Sequence, residues 1–291
     1  MKYRPLGKTG LEVSVLSLGA SSLGSVFREI NEEEGIRTVY EALDRGINYI
    51  DVSPYYGLTM AETVLGKAIK NISRDRFYLS TKAGRYGEND FDFSYDRIIR
   101  SIDESLARLN TDYVDMLFLH DIEFGDMNQV LNEGIPALYE LKKQGKTRFV
   151  GVSGLPLKIF KTVLAKHDLD VILSYCHYSL NDHSLLELVP LLQEKGVGLV
   201  NASPLSMGLL GGKQPPAWHP ASDEIKRVCG EAAEYCKRNG LNLAKLAIQF
   251  SVGNEDIPTT LVSTASPQNI IDNIAYAEEP IDEAALKAVL D

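Results

Sequence analysis

The sequence predicts an α/β chain folded as one domain, residues 1–291, in a (β/α)8 TIM barrel with an N-terminal β-hairpin. Three observations carry that expectation. Short apolar runs alternate with longer helical patterns about eight times along the chain. The runs are apolar on both faces, as strands are when helices cover a parallel sheet. The segment after the first strand reads "SLGASSLGS", with glycines at 19 and 24, which is not the GxGxxG spacing of an open doubly wound dinucleotide fold. No linker or composition break divides the chain.

The elements follow in order. "YRPLGKTGLEVSVL" reads as a hairpin with Gly10 at its turn, placed to cap the barrel floor. "EVSVLSLGAS" then precedes the helical "NEEEGIRTVYEALDRG", and "INYID" precedes "AETVLGKAIK". "FYLSTK" is followed by "SYDRIIRSIDESLARLN", "YVDMLFLH" by "NEGIPALYELKKQG" and "TRFVGVS" by "PLKIFKTVLAKH". "DVILSY" leads into "LLELVPLLQEKG", "VGLVNA" into helices within 222–250, and "TTLVST" into "PQNIIDNIAYA". Gly46, Gly145 and Gly196 stand where helices should end.

Composition narrows the function. The chain carries a net charge of −10, which argues against a nucleic-acid or anionic-membrane partner. Its apolar runs are strand-length and too short to cross a bilayer. The opening "MKYRPLGKTGLEV" has no apolar signal region, so a cytoplasmic location is expected. Cys176, Cys229 and Cys236 form no CxxC pair, and Cys229 and Cys236 lie seven apart on one helical face, a packing pattern. No HxH, HExxH or paired-carboxylate pattern calls for a metal.

In such barrels the chemistry sits where strands end. The second barrel strand ends at Asp51, with Tyr56 in the loop after it. The third ends at Lys82, the fourth at His120 and the fifth at Ser153; the seventh runs into Ser203. A buried carboxylate needs a partner, and Lys82 is the cation that can meet Asp51. An ammonium close to a phenol favours the phenolate, so a lowered tyrosine pKa is expected for Tyr56. Such a phenol exchanges a proton with a carbonyl or hydroxyl, and a neighbouring histidine orients that oxygen. A purely structural Asp–Lys pair with packing tyrosines is the competing reading, and spacing alone names no reaction.

"INYIDVSPYYG", "LSTKAGR" and "DMLFLHD" resemble the segments that carry the catalytic tetrad of the aldo-keto reductases. "VGVSGLP", "ASPLSMGLLGGK" and "LVSTASPQNIIDNI" resemble that family's cofactor segments, and the resemblance runs in order over essentially the whole chain. The longer blocks "DVILSYCHYSLND" and "PPAWHPAS" resemble members that oxidise L-galactose-like aldoses. The resemblance implies that Tyr56 is the proton donor–acceptor, that Lys82 and Asp51 tune it, and that His120 positions the substrate oxygen. It places Ser153 on the nicotinamide carboxamide. Ser203, Leu205 and Gly208 would follow the pyrophosphate, and residues 263–273, with Ser263, Thr264, Gln268, Asn269 and Asn273, would hold the adenosine end. Ser21, Asp51, Ser174 and Tyr175 complete the implied cofactor set. Sugar hydroxyls would be read by Tyr56, His120, His177 and Trp218.

The chain departs from the family pattern in four places. Ser153-Gly154 replaces the usual Ser-Asn pair, Tyr175 the usual glutamine, and Ala202 the usual aromatic under the nicotinamide. In the adenosine segment, Ser263 and Asn269 stand where NADP-binding members carry Lys and Arg. A 2′-phosphate wants cationic partners. NAD is therefore expected over NADP. The implied reaction is oxidation of an aldose at its anomeric carbon to the lactone. L-fucose- or D-arabinose-type oxidation and general aldehyde or ketone reduction stay open beside it, as do a Schiff-base lyase acting through Lys82 and a non-catalytic cofactor-binding regulatory subunit.

Overall fold

The computed structural model describes residues 1–26, 29–212 and 219–290. The strands are β1 (Tyr3–Pro5), β2 (Glu12–Ser14), β3 (Leu16–Gly19), β4 (Tyr49–Asp51), β5 (Tyr78–Ala83), β6 (Val114–Leu119), β7 (Thr147–Gly154), β8 (Val171–Tyr175), β9 (Gly198–Ala202) and β10 (Thr259–Ser263). The helices used below are α1 (Glu32–Asp44), α2 (Met60–Ile69), α3 (Tyr95–Leu109), and, in the last third of the chain, α4 (Asp223–Arg238), α5 (Leu243–Gly253) and α6 (Pro267–Glu278).

Local rules explain these elements. Asn31 caps α1 by accepting the Glu34 N–H, and Glu32, Glu33 and Glu34 place negative charge at the helix's positive end. In α3 the buried positions Ile98, Ile102, Ser105 and Leu109 recur every three to four residues, which turns one face to the sheet. Gly196 takes φ 69° immediately after a helix, a conformation that a side chain would strain. Cys229 and Cys236 are both buried on one face of α4, against Leu246 of α5.

β3 to β10 close into a barrel in the order β10-β3-β4-β5-β6-β7-β8-β9. Every pairing in it is parallel. Side chains alternate between the lumen and the helix layer. Tyr49, Met116, Phe118, Val171, Leu173, Val200 and Leu261 pack together in the lumen, with Tyr78, Phe149 and Ala202 against them. Ile50, Leu79, Leu117, Val150, Ile172 and Leu199 face the helices. That parity aims Asp51, Lys82, His120, Ser153, Tyr175 and Ser263 to the inner side at the carboxyl ends of their strands.

β1 and β2 form the antiparallel hairpin, with Tyr3 opposite Ser14 and Pro5 opposite Glu12. Gly10 lies in its turn at φ 73°. Leu6, Leu11 and Val13 from the hairpin are buried in the same cluster as the lumen residues, so the hairpin stoppers the amino-terminal end of the barrel.

Candidate active site

Asp51 ends β4 beside β5, opposite Ser80 in register. Lys82 is the penultimate residue of β5, and its Nζ donates to Asp51 Oδ2 at 2.5 Å, to the Val52 carbonyl at 3.0 Å and to Tyr56 Oη at 3.2 Å. Ser80, two residues earlier on the same inner face, donates to Asp51 Oδ1 at 2.6 Å. Tyr49 Oη lies 2.9 Å from the same serine hydroxyl. His120 follows β6 directly, and its ring stands edge-on to Tyr56 at 5.6 Å between centroids. The four tetrad residues therefore converge at one mouth.

The loops that aim them are tightly fitted. The turn after β3 (Ala20–Gly24) packs on the loop carrying Tyr56: a Cβ on Gly24 would sit 2.5 Å from the Tyr56 carbonyl oxygen, and one on Gly57 would sit 2.0 Å from that of Gly24. Both positions need glycine because two backbones touch there.

The electrostatics correct one expectation. Burial pushes the Tyr56 phenol up to about 12; Lys82 opposes this, but Asp51 and Asp121 add to the upward push. The lowered pKa expected from the lysine fails because burial of the phenol outweighs the ammonium's pull, which Asp51 and Asp121 also partly offset. Burial favours the neutral form of Lys82, yet Asp51 and Tyr56 together outweigh it and hold the amine above the ordinary lysine range. Burial likewise takes His120 down to about 3, against Asp121, so the imidazole is neutral.

The rim carries residues to which sequence reading gave no role. Ser53 is fully buried, with its Oγ 2.9 Å from His120 Nδ1. Arg85 lies over the Tyr55 ring at 3.8 Å and donates to Asp121 Oδ2 at 2.5 Å. Asp121 takes φ 51° and its N–H donates to Ser153 Oγ at 3.3 Å. Glu123 accepts the Leu155 N–H through Oε1, while its Oε2 is buried without a partner among the described residues. A Cβ on residue 154 would meet that Oε2 at 2.5 Å, so Gly154 in place of the expected asparagine makes room for Glu123. A signal for Ser53 and Ser80 was available: each lies two residues along a strand path from a tetrad carboxylate or lysine, hence on its face.

The implied cofactor positions divide. Ser263 Oγ bonds Ser21 Oγ at 2.7 Å and Ser22 Oγ at 2.9 Å, which ties the turn after the first barrel strand to the end of the last. Ser203, Ser206, Met207 and Gly208 all take positive φ, and Leu205 lies within that run; at Gly208 nothing lies within 4 Å of a Cβ position. Thr264 Oγ1 accepts the Ser266 N–H, Ser266 caps α6 through the Asn269 N–H, and Gln268 donates to Asp272. Asn273 is half-buried on α6. Tyr175 reaches the mouth, within electrostatic range of Asp121, Glu123 and Tyr56. Ser174 does not: it falls on the opposite parity from Leu173, and its buried Oγ faces the helix layer without a partner among the described residues. His177 turns its Nδ1 to Asp182 and Ser184 of its own loop. Trp218 lies outside the described residues. Among the described residues, no group of three or more His, Cys, Asp or Glu could hold a metal ion, and no helix is long and apolar enough to cross a membrane.

A family model described as the aldo/keto reductase family matches residues 15–290. The chain belongs to the aldo/keto reductases. It is 50% identical over 284 residues to L-galactose dehydrogenase of Arabidopsis thaliana, covering 96% of this chain and 89% of that one. It is 35% identical over 256 residues to D-arabinose 1-dehydrogenase of Saccharomyces cerevisiae, covering 82% and 75%. The holo form of an aldo-keto reductase from Bacillus halodurans superposes with a TM-score of 0.82 at 28% identity, over 100% of this chain and 95% of that one. This aldo/keto reductase is thus an oxidoreductase acting on CH–OH groups, similar to L-galactose dehydrogenase, in a family that uses NAD(P)H. The mouth fits such a cofactor in its chemistry. The turn 203–208 has positive φ at Ser203, Ser206, Met207 and Gly208 and open space beside Gly208, and the serine cluster at 21, 22 and 263 has hydroxyls of the kind a ribose can bond.

Proposed function

We propose that this enzyme oxidises an L-galactose-like aldose at its anomeric carbon to the lactone, with NAD as the preferred cofactor. The observation that carries the reading is the convergence of Asp51, Lys82, Tyr56 and His120 at one mouth in a chain half identical to an L-galactose dehydrogenase. The bound nicotinamide would supply the hydride acceptor, held by Ser153 and Tyr175 at one end, by the 203–208 turn along its phosphates, and by Ser21, Ser263, Gln268 and Asn269 at the ribose.

The protein's own groups handle the proton. Tyr56 Oη takes it from the anomeric hydroxyl, 3.2 Å from a lysine that stabilises the phenolate as it forms. Asp51 keeps that lysine charged and in place. His120, neutral, orients the sugar oxygen by hydrogen bonding. Because Tyr56 is protonated at neutral pH, the same geometry serves carbonyl reduction in reverse, and the phenol is then the donor. The Schiff-base reading loses support, since Lys82 is buried, paired and held charged. Residues 263–273 contain no lysine or arginine for a 2′-phosphate, which supports NAD over NADP.

Reduced-nicotinamide formation across a panel of aldoses, with NAD and NADP in turn, tests the reading. L-galactose with NAD is expected to give the highest kcat/KM. Tyr56→Phe is expected to lower kcat by about 10²- to 10⁴-fold and to leave cofactor affinity unchanged. A clear NADP preference, or a Tyr56→Phe enzyme near wild-type rate, contradicts it.

A further inference from the structure

We propose that Ser53 is a positioning residue that locks His120 in the Nε2–H tautomer, so that His120 meets the substrate oxygen as a hydrogen-bond donor. The argument is one of satisfying every partner. Ser53 Oγ is fully buried and already accepts the Tyr55 backbone N–H at 3.1 Å. A backbone N–H can only donate, so the hydroxyl's own hydrogen needs an acceptor. Nδ1 of His120, at 2.9 Å, is the acceptor in reach among the described residues. The hydroxyl therefore donates to Nδ1, which must be the unprotonated nitrogen.

In a neutral ring the proton then resides on Nε2. The other flank of the ring agrees. Asp121 Oδ2 lies 3.5 Å from Nε2, and a carboxylate there favours an N–H over a lone pair. That distance is too long for a good hydrogen bond, and Arg85 already holds the same oxygen at 2.5 Å. The Nε2–H is thus poised and under-used, beside the Tyr56 ring. A substrate oxygen between Tyr56 Oη and His120 Nε2 would receive one hydrogen bond from each when it is a carbonyl. As a hydroxyl it would donate to Tyr56 and accept from His120. The opposite tautomer would present a lone pair to that oxygen and could not hold it.

The inference rests on the proposed function for the identity of the oxygen, but its first half is testable without turnover. Long-range proton–nitrogen correlation spectra of ¹⁵N-histidine-labelled enzyme, with His120 assigned by its loss in His120→Gln, read the tautomer directly. Wild type is expected to show Nδ1 unprotonated and Nε2 protonated. Ser53→Ala is expected to mix the tautomers and to lower kcat about 10- to 100-fold with cofactor affinity unchanged, because a buried acceptor has lost its donor. Ser53→Thr keeps the hydroxyl and is expected to restore both. A wild-type ring protonated on Nδ1 overturns the proposal, even if Ser53→Ala fails to fold. So does a Ser53→Ala enzyme that keeps a single Nε2–H tautomer, whatever its rate. An enzyme inactive on every aldose would instead remove the proposed function and leave the tautomer result standing.

Discussion

At the scale of single residues, the site sets one buried ion pair against two buried neutral rings. Lys82 and Asp51 cancel each other, and Tyr56 and His120 stay uncharged because a dry mouth penalises ionisation. This has a measurable sign. A phenol raised to about 12 by burial is protonated throughout the physiological range. Oxidation needs the base, so its rate at low substrate should climb with pH, up to about tenfold per unit, well past pH 8. Reduction uses the phenol and should be flat over the same interval. Difference absorbance between wild type and Tyr56→Phe during alkaline titration reads the ionisation itself; a midpoint under the ordinary tyrosine value of about 10 would restore the lowered pKa that the lysine alone suggests. Asp51, Lys82 and His120 were legible in the sequence as neighbours because each stands at a strand end, with Tyr56 in the loop that follows Asp51. The direction of the pKa shift was not, since it depends on how much water the assembled mouth excludes, with Asp51 and Asp121 adding to that push against Lys82.

At the scale of elements, strand order and parity were open to reading, and loop fit was not. Apolar runs at each βα repeat gave eight barrel strands in sequence, and alternation from Asp51, Lys82 and His120 could have told which residues share the inner face. Ser174 shows the limit of motif transfer: one step in parity sends its hydroxyl to the helix layer. The close approach of the Gly24 and Tyr56–Gly57 loops has no periodic signature, because it joins segments more than thirty positions apart. Gly24→Ala should therefore lower stability by about 1–3 kcal/mol through overpacking, and should also lower kcat by moving Tyr56. Gly230→Ala is the control: it lies inside α4 with nothing within 4 Å of its Cβ position, and should raise stability by about 0.5–1 kcal/mol. Chemical denaturation and steady-state kinetics on both variants separate the two effects; a Gly24→Ala enzyme as stable and as fast as wild type would show that the loops are not in contact.

Over the whole molecule, the hairpin and the mouth occupy opposite ends of one packed lumen. Leu6 is fully buried against residues drawn from several barrel strands. Leu6→Ala should lower stability by about 2–5 kcal/mol while leaving cofactor affinity and the pH–rate profile as they are, since the plug lies a lumen's depth from Tyr56. A change in the profile would mean that the two ends are mechanically coupled. The hairpin's turn residues and its capping role could be read from "GKTG", but the insertion of Leu6 could not, because what it fills is made by strands far along the chain.

A stoppered barrel is a cul-de-sac. Both reactants must queue at the same doorway, and whichever sits deeper must arrive first and depart last. Initial-rate patterns should then be those of a compulsory-order sequence, with the final departure, rather than bond rearrangement, free to set the pace of the cycle.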